Sequence, residues 1–244
     1  MNTRLLILAK KGARNAQLDL LLRSVARFWP DAYPVVINEP SGPAFNERVH
    51  WEIEREQPFV CFATDDGFFF RPVPEPSWKL PSICYALRLG QNTSECYPSG
   101  TSQTVPDRLE WSWRYAEGDF AYPGSVDGHV FRKSVLSYLL DGEYLDNPTA
   151  LECILNAACY ASSGWPFMSR PDLSCYVSNP VNRVSDQSGV RFGQHHPHRA
   201  SDLETIFQQG RRIDLDAMAD MACRRVRGAH WELPFVWESE RVAA

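Results

Sequence analysis

No window of the sequence approaches the ~20 apolar residues that a membrane-crossing helix requires. The opening MNTRLLILAK is too short an apolar run for a secretory leader. Neither G-x-G-x-x-G nor G-x-x-x-x-G-K-[ST] occurs, which excludes the dinucleotide fingerprint and the P-loop as ways of holding phosphate. Positive charge is in deficit: 25 Lys and Arg against 30 Asp and Glu give a net charge of −5, so bulk nucleic-acid binding, which needs a basic footprint, is not expected. The seven cysteines, at 61, 84, 96, 153, 159, 175 and 223, are odd in number and include no C-x-x-C pair. That excludes a zinc ribbon and a disulfide frame and leads to the expectation of reduced thiols in a soluble, cytoplasmic protein. In that compartment the sequon Asn92-Thr93-Ser94 carries no meaning. What is present is 44% hydrophobic and 12% aromatic content over 244 residues, enough for a sizeable core.

The rest of the chain is organised around Phe59 to Phe70, FVCFATDDGFFF. The run Phe59 to Ala63 reads as a strand buried on both faces. It stops at Thr64-Asp65-Asp66-Gly67, and Phe68 to Phe70 return to the core. Two carboxylates at the carboxyl end of such a strand lie where open α/β sheets place their ligands. Like charges raise one another's pKa unless a cation neutralises them, so a hard divalent ion is one occupant; the other reading is an Asp-Gly hairpin turn.

Upstream, Leu5 to Ala9 reads as a first strand. Leu18, Leu21, Leu22, Val25 and Trp29 form the stripe of a helix that stops at Pro30. Tyr33 to Asn38 is a second strand, and Phe45, Val49 and Ile53 mark a second helix. This β-α-β-α-β order predicts parallel strands with right-handed crossovers and a nucleotide at the sheet's carboxyl edge. The Pro-rich stretch 72–81 is an extended connection, followed by a strand over Ile83 to Leu89. Arg88 in that strand either points to phosphate or makes a surface ion pair.

Thr64-Asp65-Asp66 at the end of a buried strand resembles the Asp-x-Asp region of glycosyltransferases of the GT-A fold. The resemblance extends to LRLGQN at 87–92, YPGSVDGHVFR at 122–132, and Asn147-Pro148 with Glu152, and spans Leu5 to Asp214. It is similar to a bacterial subgroup of such enzymes. The resemblance implies an α/β, GT-A type Rossmann-like single domain over 1–244, with a mainly parallel central sheet flanked by helices. Within it, residues 1–90 would bind nucleotide, 91–200 would bind acceptor, and 201–244 would be C-terminal helices and tail. It implies transfer of a sugar from a nucleotide-sugar donor to a carbohydrate or glycan acceptor, dependent on Mn²⁺ or Mg²⁺. The Asp-x-Asp pattern wants an acid at position 64 or 67, and the chain has Thr64 and Gly67 there. Asp66 is therefore assigned to the metal, and Asp65 to the ribose or a supporting position. Lys10, Arg14 and Arg88 are assigned to the nucleotide.

Asp127, bracketed by Gly124 and Gly128, is the first candidate for the base that an inverting transfer requires; its alternative is a helix N-cap. Glu152, on a helix opened by Asn147-Pro148, is the second candidate or a solvent-facing side chain. Trp111, Trp113, Tyr122 and His129 are candidates for the acceptor site, the aromatics either as stacking platforms for sugar or as core. The cluster His195-His196-Pro197-His198 offers a metal ligand, His195, or a surface loop. Ser201 and Glu204 read as a capping box, and Asp214 to Cys223 as an amphipathic helix. Arg211, Arg212, Arg224, Arg225 and Arg227 are solvated helix ends or a contact for an anionic membrane surface or acidic glycan. Three rival functions stand beside transfer: a sugar-nucleotidyltransferase, a non-catalytic sugar-binding relative, and a scaffold protein. Oligomeric state is open.

Overall fold

The computed structural model describes all residues except 11, 13, 40, 77, 79, 97, 182–195 and 239–244. In chain order it contains β1 (Thr3–Leu8), α1 (Asn15–Phe28), β2 (Ala32–Ile37), α2 (Gly42–Ile53), β3 (Phe59–Thr64), β4 (Gly67–Phe69) and β5 (Ser82–Ala86). The short strands β6 (Glu95–Cys96), β7 (Thr101–Ser102) and β8 (Glu110–Ser112) follow, then β9 (His129–Arg132), α3 (Lys133–Leu139) and α4 (Pro148–Ala161). The remainder is β10 (Phe167–Ser169), β11 (Tyr176–Ser178), α5 (Ala200–Gln208) and α6 (Leu215–Arg225). No helix among the described residues is long and apolar enough to cross a membrane.

Seven strands form one mixed sheet in the order β2-β1-β3-β9-β5-β10-β8. The first βαβαβ segment is as expected: β1 pairs in parallel with β2 and with β3. The chain is thus an α/β protein. The sheet is less uniformly parallel than the N-terminal pattern suggests, because β9 inserts antiparallel between β3 and β5, and β8 runs antiparallel to β10. The apolar runs are explained by burial on both faces. Leu6, Val60 and Phe62 face the core layer that contains α2, α3 and α4, whereas Leu5, Ile7, Cys61 and Ala63 face the layer with α1. Pro34 is tolerated because β2 is the sheet's edge.

Several local expectations are corrected. Asp65-Asp66 does not close a hairpin on β3; β4 pairs instead with β11, more than 100 residues later. Asp127 does not cap a helix, because strand β9 intervenes and α3 begins after Arg132. Ser201 and Glu204 do not form a capping box: α5 starts one residue earlier, and Glu204 instead accepts from the backbone and side chain of Asn15 on α1. The start at Asn147-Pro148 is as read, with Asn147 accepting from the Ala150 amide at 2.9 Å. Asp214 likewise caps α6 through the Ala217 amide.

Candidate functional site

The topology brings most of the candidate residues to one place. β9 runs against its neighbours, so its first residue, His129, pairs with Phe62 near the end of β3 and with Ala86 at the end of β5. The residues just before β9 therefore emerge beyond the carboxyl ends of both strands. Gly128, at φ +68°, makes the turn: its N–H donates to Phe62, and its carbonyl accepts from Leu87. This sets Asp127 beside Thr64 from β3 and near Arg88, two residues past β5. The edge of a cleft of about 820 Å³ runs here, a size suited to a small-molecule ligand. Lys10, Arg14, Asp65, Asp66, Arg88, Tyr122, Asp127 and Glu152, all candidates from the sequence, line it together.

One side of the cleft is the Asp65–Asp66 turn. Asp65 accepts from the Lys10 amide at 2.7 Å and from Arg14 Nη1 at 2.8 Å, and the same Arg14 nitrogen lies 3.3 Å from Asp66 Oδ2. The cation that the acidic pair needs is thus supplied by the chain itself. Thr64 Oγ1 lies 2.7 Å from Asp66 Oδ1 and 2.5 Å from Asp127 Oδ1, and a hydroxyl has one proton to share between them. At position 64 the chain thus carries a bridging hydroxyl. An acid at position 67 is sterically barred, since a Cβ there would run into the buried Tyr176 ring.

Next along the lining, Asp127 and Glu152 lie in contrasting environments. Burial pushes Asp127 upward, but the hydrogen bond and charge of His230, the charge of Arg88 and the Thr64 hydroxyl outweigh it and hold its carboxyl at about 2. For Glu152, burial and the nearby Asp127 charge push the carboxyl above its ordinary value. Its contacts are long ones, with Ser125 Oγ at 3.3 Å and the Val126 amide at 3.4 Å. Glu152 reaches the cleft from the start of α4, whose buried stripe of Leu151, Leu155 and Cys159 fixes the helix on the sheet.

Three acceptor-site candidates are elsewhere. Trp111 and Trp113 are buried, donating Nε1–H to the carbonyls of Phe120 and Trp165, so their amphipathic character serves the core. His129 is fully buried between β3 and β5, and burial together with the Arg88 charge holds it neutral, with its pKa lowered to about 3. Tyr122 alone of that group lines the cleft. His195 lies outside the described residues; its neighbour His196 is bound at Nε2 to the Leu233 carbonyl and packs at a tilt against the Phe235 ring. Of the basic residues, Arg212 pairs with Asp19, Arg224 with Asp220, and Arg227 bonds the Val226 carbonyl.

Sequence reasoning missed His230, whose Nε2 lies 3.2 Å from Asp127 Oδ2. The segment that carries it returns beside β11, with the Trp231 amide donating to Ser178 and Ser178 donating to Ala229. A lone histidine a hundred residues from its carboxylate gives no spacing signal. No protein-family model and no curated protein matches the chain.

The cleft suits a metal in one way only. Among the described residues no group of three His, Cys, Asp or Glu side chains is spaced to hold an ion, so a closed protein cage is not present. Yet the described lining sets six carboxylates (Glu39, Asp65, Asp66, Asp119, Asp127, Glu152) against the three cations Lys10, Arg14 and Arg88. A polyphosphate entering this acidic cleft needs additional positive charge. Magnesium-type ions meet that need with one or two carboxylates and the ligand's own phosphate oxygens, and Asp66 is one of the carboxylates that line the cleft.

Proposed function

We propose that the protein is a metal-dependent glycosyltransferase of GT-A type, moving a sugar from a nucleotide-sugar donor to a carbohydrate or glycan acceptor. The observation that carries this reading is the pair Asp127 and Glu152, two carboxyl groups in one cleft whose surroundings push their pKa values apart. Such divergence is how acid–base roles are divided between like residues. The cleft's position beyond the carboxyl ends of β3 and β5 supports a nucleotide ligand.

In this reading Glu152 is the base and Asp127 is not, which reverses the order suggested by the sequence. A carboxylate at about 2 is a poor proton acceptor, whereas a raised one is better matched to neutral conditions. Glu152 takes the proton of the acceptor hydroxyl as that oxygen bonds to the anomeric carbon. The carbon's bond to the diphosphate oxygen breaks, and the electron pair leaves with the nucleoside diphosphate. Asp127, fixed by His230 and Thr64, stays anionic and offsets positive charge building on the sugar ring. Asp66 would hold Mn²⁺ or Mg²⁺, which when bound supplies Lewis-acid stabilisation of the departing diphosphate. Lys10 and Arg14, with Asp65 as their anchor, flank the nucleotide.

The test is a thermal-shift titration with UDP, GDP and CMP, each with and without Mn²⁺. We expect one nucleotide to stabilise the protein only with the metal, and Asp66→Ala to abolish the effect. The absence of a shift with all three sinks the reading.

A further inference from the structure

Among the described residues, Arg88 is a buried cleft cation without a hydrogen-bonded acceptor. Its side chain is 2% exposed, yet its Nε has no partner. The only described carboxylate within ion-pair range is Asp119, whose Oδ1 is 3.9 Å from Nη2, beyond hydrogen-bond reach. Asp119 is itself engaged elsewhere, with its amide donating to Gln103 Oε1 at 2.8 Å and its Oδ2 at 3.5 Å from Gln103 Nε2. Arg14 shows the contrast, being bonded to Asp65 and close to Asp66. A buried guanidinium loses its water, and a fork of unused donors is costly unless an acceptor arrives. Arg88 lines the cleft, so that acceptor has a route in.

We propose that Arg88 receives the carboxylate of an acidic sugar of the uronic acid class, as part of the donor or the acceptor; the sugar in this statement rests on the transferase reading above. Two features favour a carboxylate over the donor's diphosphate. Arg88 acts on Asp127, Glu152 and Tyr122, whereas Arg14 pairs with Asp65 and Asp66, and only Asp66 is linked to Asp127 through the Thr64 hydroxyl. The group Arg88 binds therefore lies toward the sugar end of a ligand whose phosphates sit at Asp66. The surroundings also hold Asp119, Asp127 and Glu152, which repel the donor's diphosphate, with one charge on each phosphate, more than a carboxylate with a single charge. A planar carboxylate matches the guanidinium fork in two parallel hydrogen bonds.

The experiment is thermal denaturation of the full chain at low ionic strength with D-glucuronate, its methyl ester, D-glucose and glucose 6-phosphate. Glucuronate at ten times its Kd is expected to raise the midpoint by about 2–4 °C, and the uncharged ester and glucose by much less. The ester comparison uses the unmodified protein, so it holds whatever becomes of a variant. Arg88→Lys, which keeps the charge among the carboxylates and loses the fork, is expected to weaken glucuronate at least tenfold while a nucleotide shift persists. Equal shifts from glucuronate and ester, or a shift from glucose 6-phosphate alone, overturn the carboxylate assignment. Loss of nucleotide and glucuronate shifts together in Arg88→Lys places Arg88 at the diphosphate and also overturns it. A glucuronate shift with no nucleotide shift leaves this inference standing and removes the transferase reading.

Discussion

The two sides of the cleft are built from the same residue types and finished differently. At the Asp65–Asp66 turn, both Asp65 oxygens have donors, from Lys10 and Arg14, and Asp66 is bonded by Thr64 and paired with Arg14. Farther along the lining, Glu152 has, among the described residues, only contacts of 3.3 Å or more, and Arg88 has no hydrogen-bonded acceptor among them. The first side meets most of its own polar groups before any ligand arrives and so forms the frame of the cleft. The second is left incomplete by the fold, and buried polar groups without partners are the places where a ligand gains most by supplying them. A functional wall is therefore recognised less by its charges than by which of them the protein has not already satisfied.

The comparison is broken most directly at Glu152. Glu152→Gln keeps the shape and removes the proton acceptor, so we expect turnover to fall by about 10²–10⁴ with little change in the thermal midpoint. A variant that unfolds more easily but turns over normally would put Glu152 with the frame. The converse experiment is Asp65→Ala, which strips the Arg14 guanidinium of its closest buried partner. Breaking such a pair from one side costs about 3 kcal/mol, read as a lower urea midpoint at unchanged slope. An effect on stability below about 1 kcal/mol would mean that Asp66 alone suffices for Arg14.

His129 gives a pH-dependent measure of the same wall, since it lies under Asp127 and Arg88 and is held neutral to about 3. Its folded-state pKa is below the ordinary 6.5, so the unfolded chain binds the proton more readily. Stability is then full above 6.5 and declines as pH falls toward 3, by about 1.4 kcal/mol per unit. Denaturant midpoints from pH 7 to 5 in the native protein and in His129→Leu isolate this contribution. Parallel curves would show that His129 is not the group responsible.

The frame was largely legible in the sequence and the open wall only in part. Strands β1 to β3 and helices α1 and α2 follow from apolar runs and helical spacing that local physics fixes, and they place Asp65 and Asp66 at the end of β3. Asp127 and Glu152 were visible through their glycine bracket and the Asn147-Pro148 start. Their different chemistry was not, because it comes from His230, Thr64 and Arg88, brought together by the antiparallel insertion of β9. Periodicity carries no sign of that insertion: a short buried strand reads alike in either direction. For the same reason Trp111, Trp113 and His129 looked available to a ligand. The indole N–H groups meet the carbonyls of Phe120 and Trp165, and His129 Nδ1 meets that of Pro123, partners that no spacing rule names.

Thr64 is the seam between the two walls, and the smallest expected effect tests whether they are coupled. Its hydroxyl is near one oxygen each of Asp66 and Asp127, so Thr64→Val removes a single charge-assisted hydrogen bond without opening a cavity. We expect a loss of about 1–2 kcal/mol at neutral pH. Because that hydroxyl is one of the groups holding Asp127 down at about 2, its loss should raise the Asp127 pKa. Asp127 contributes stability above its unfolded value of 3.8 that is lost as pH falls toward 2, so the acid limb of the stability curve should move to higher pH. Carboxyl titration followed by NMR reads the shift directly. If Asp127 titrates as before while stability drops, the hydroxyl belongs to Asp66 and the frame ends there; if both move, the frame extends to Asp127 and sets the charge of the wall it belongs to.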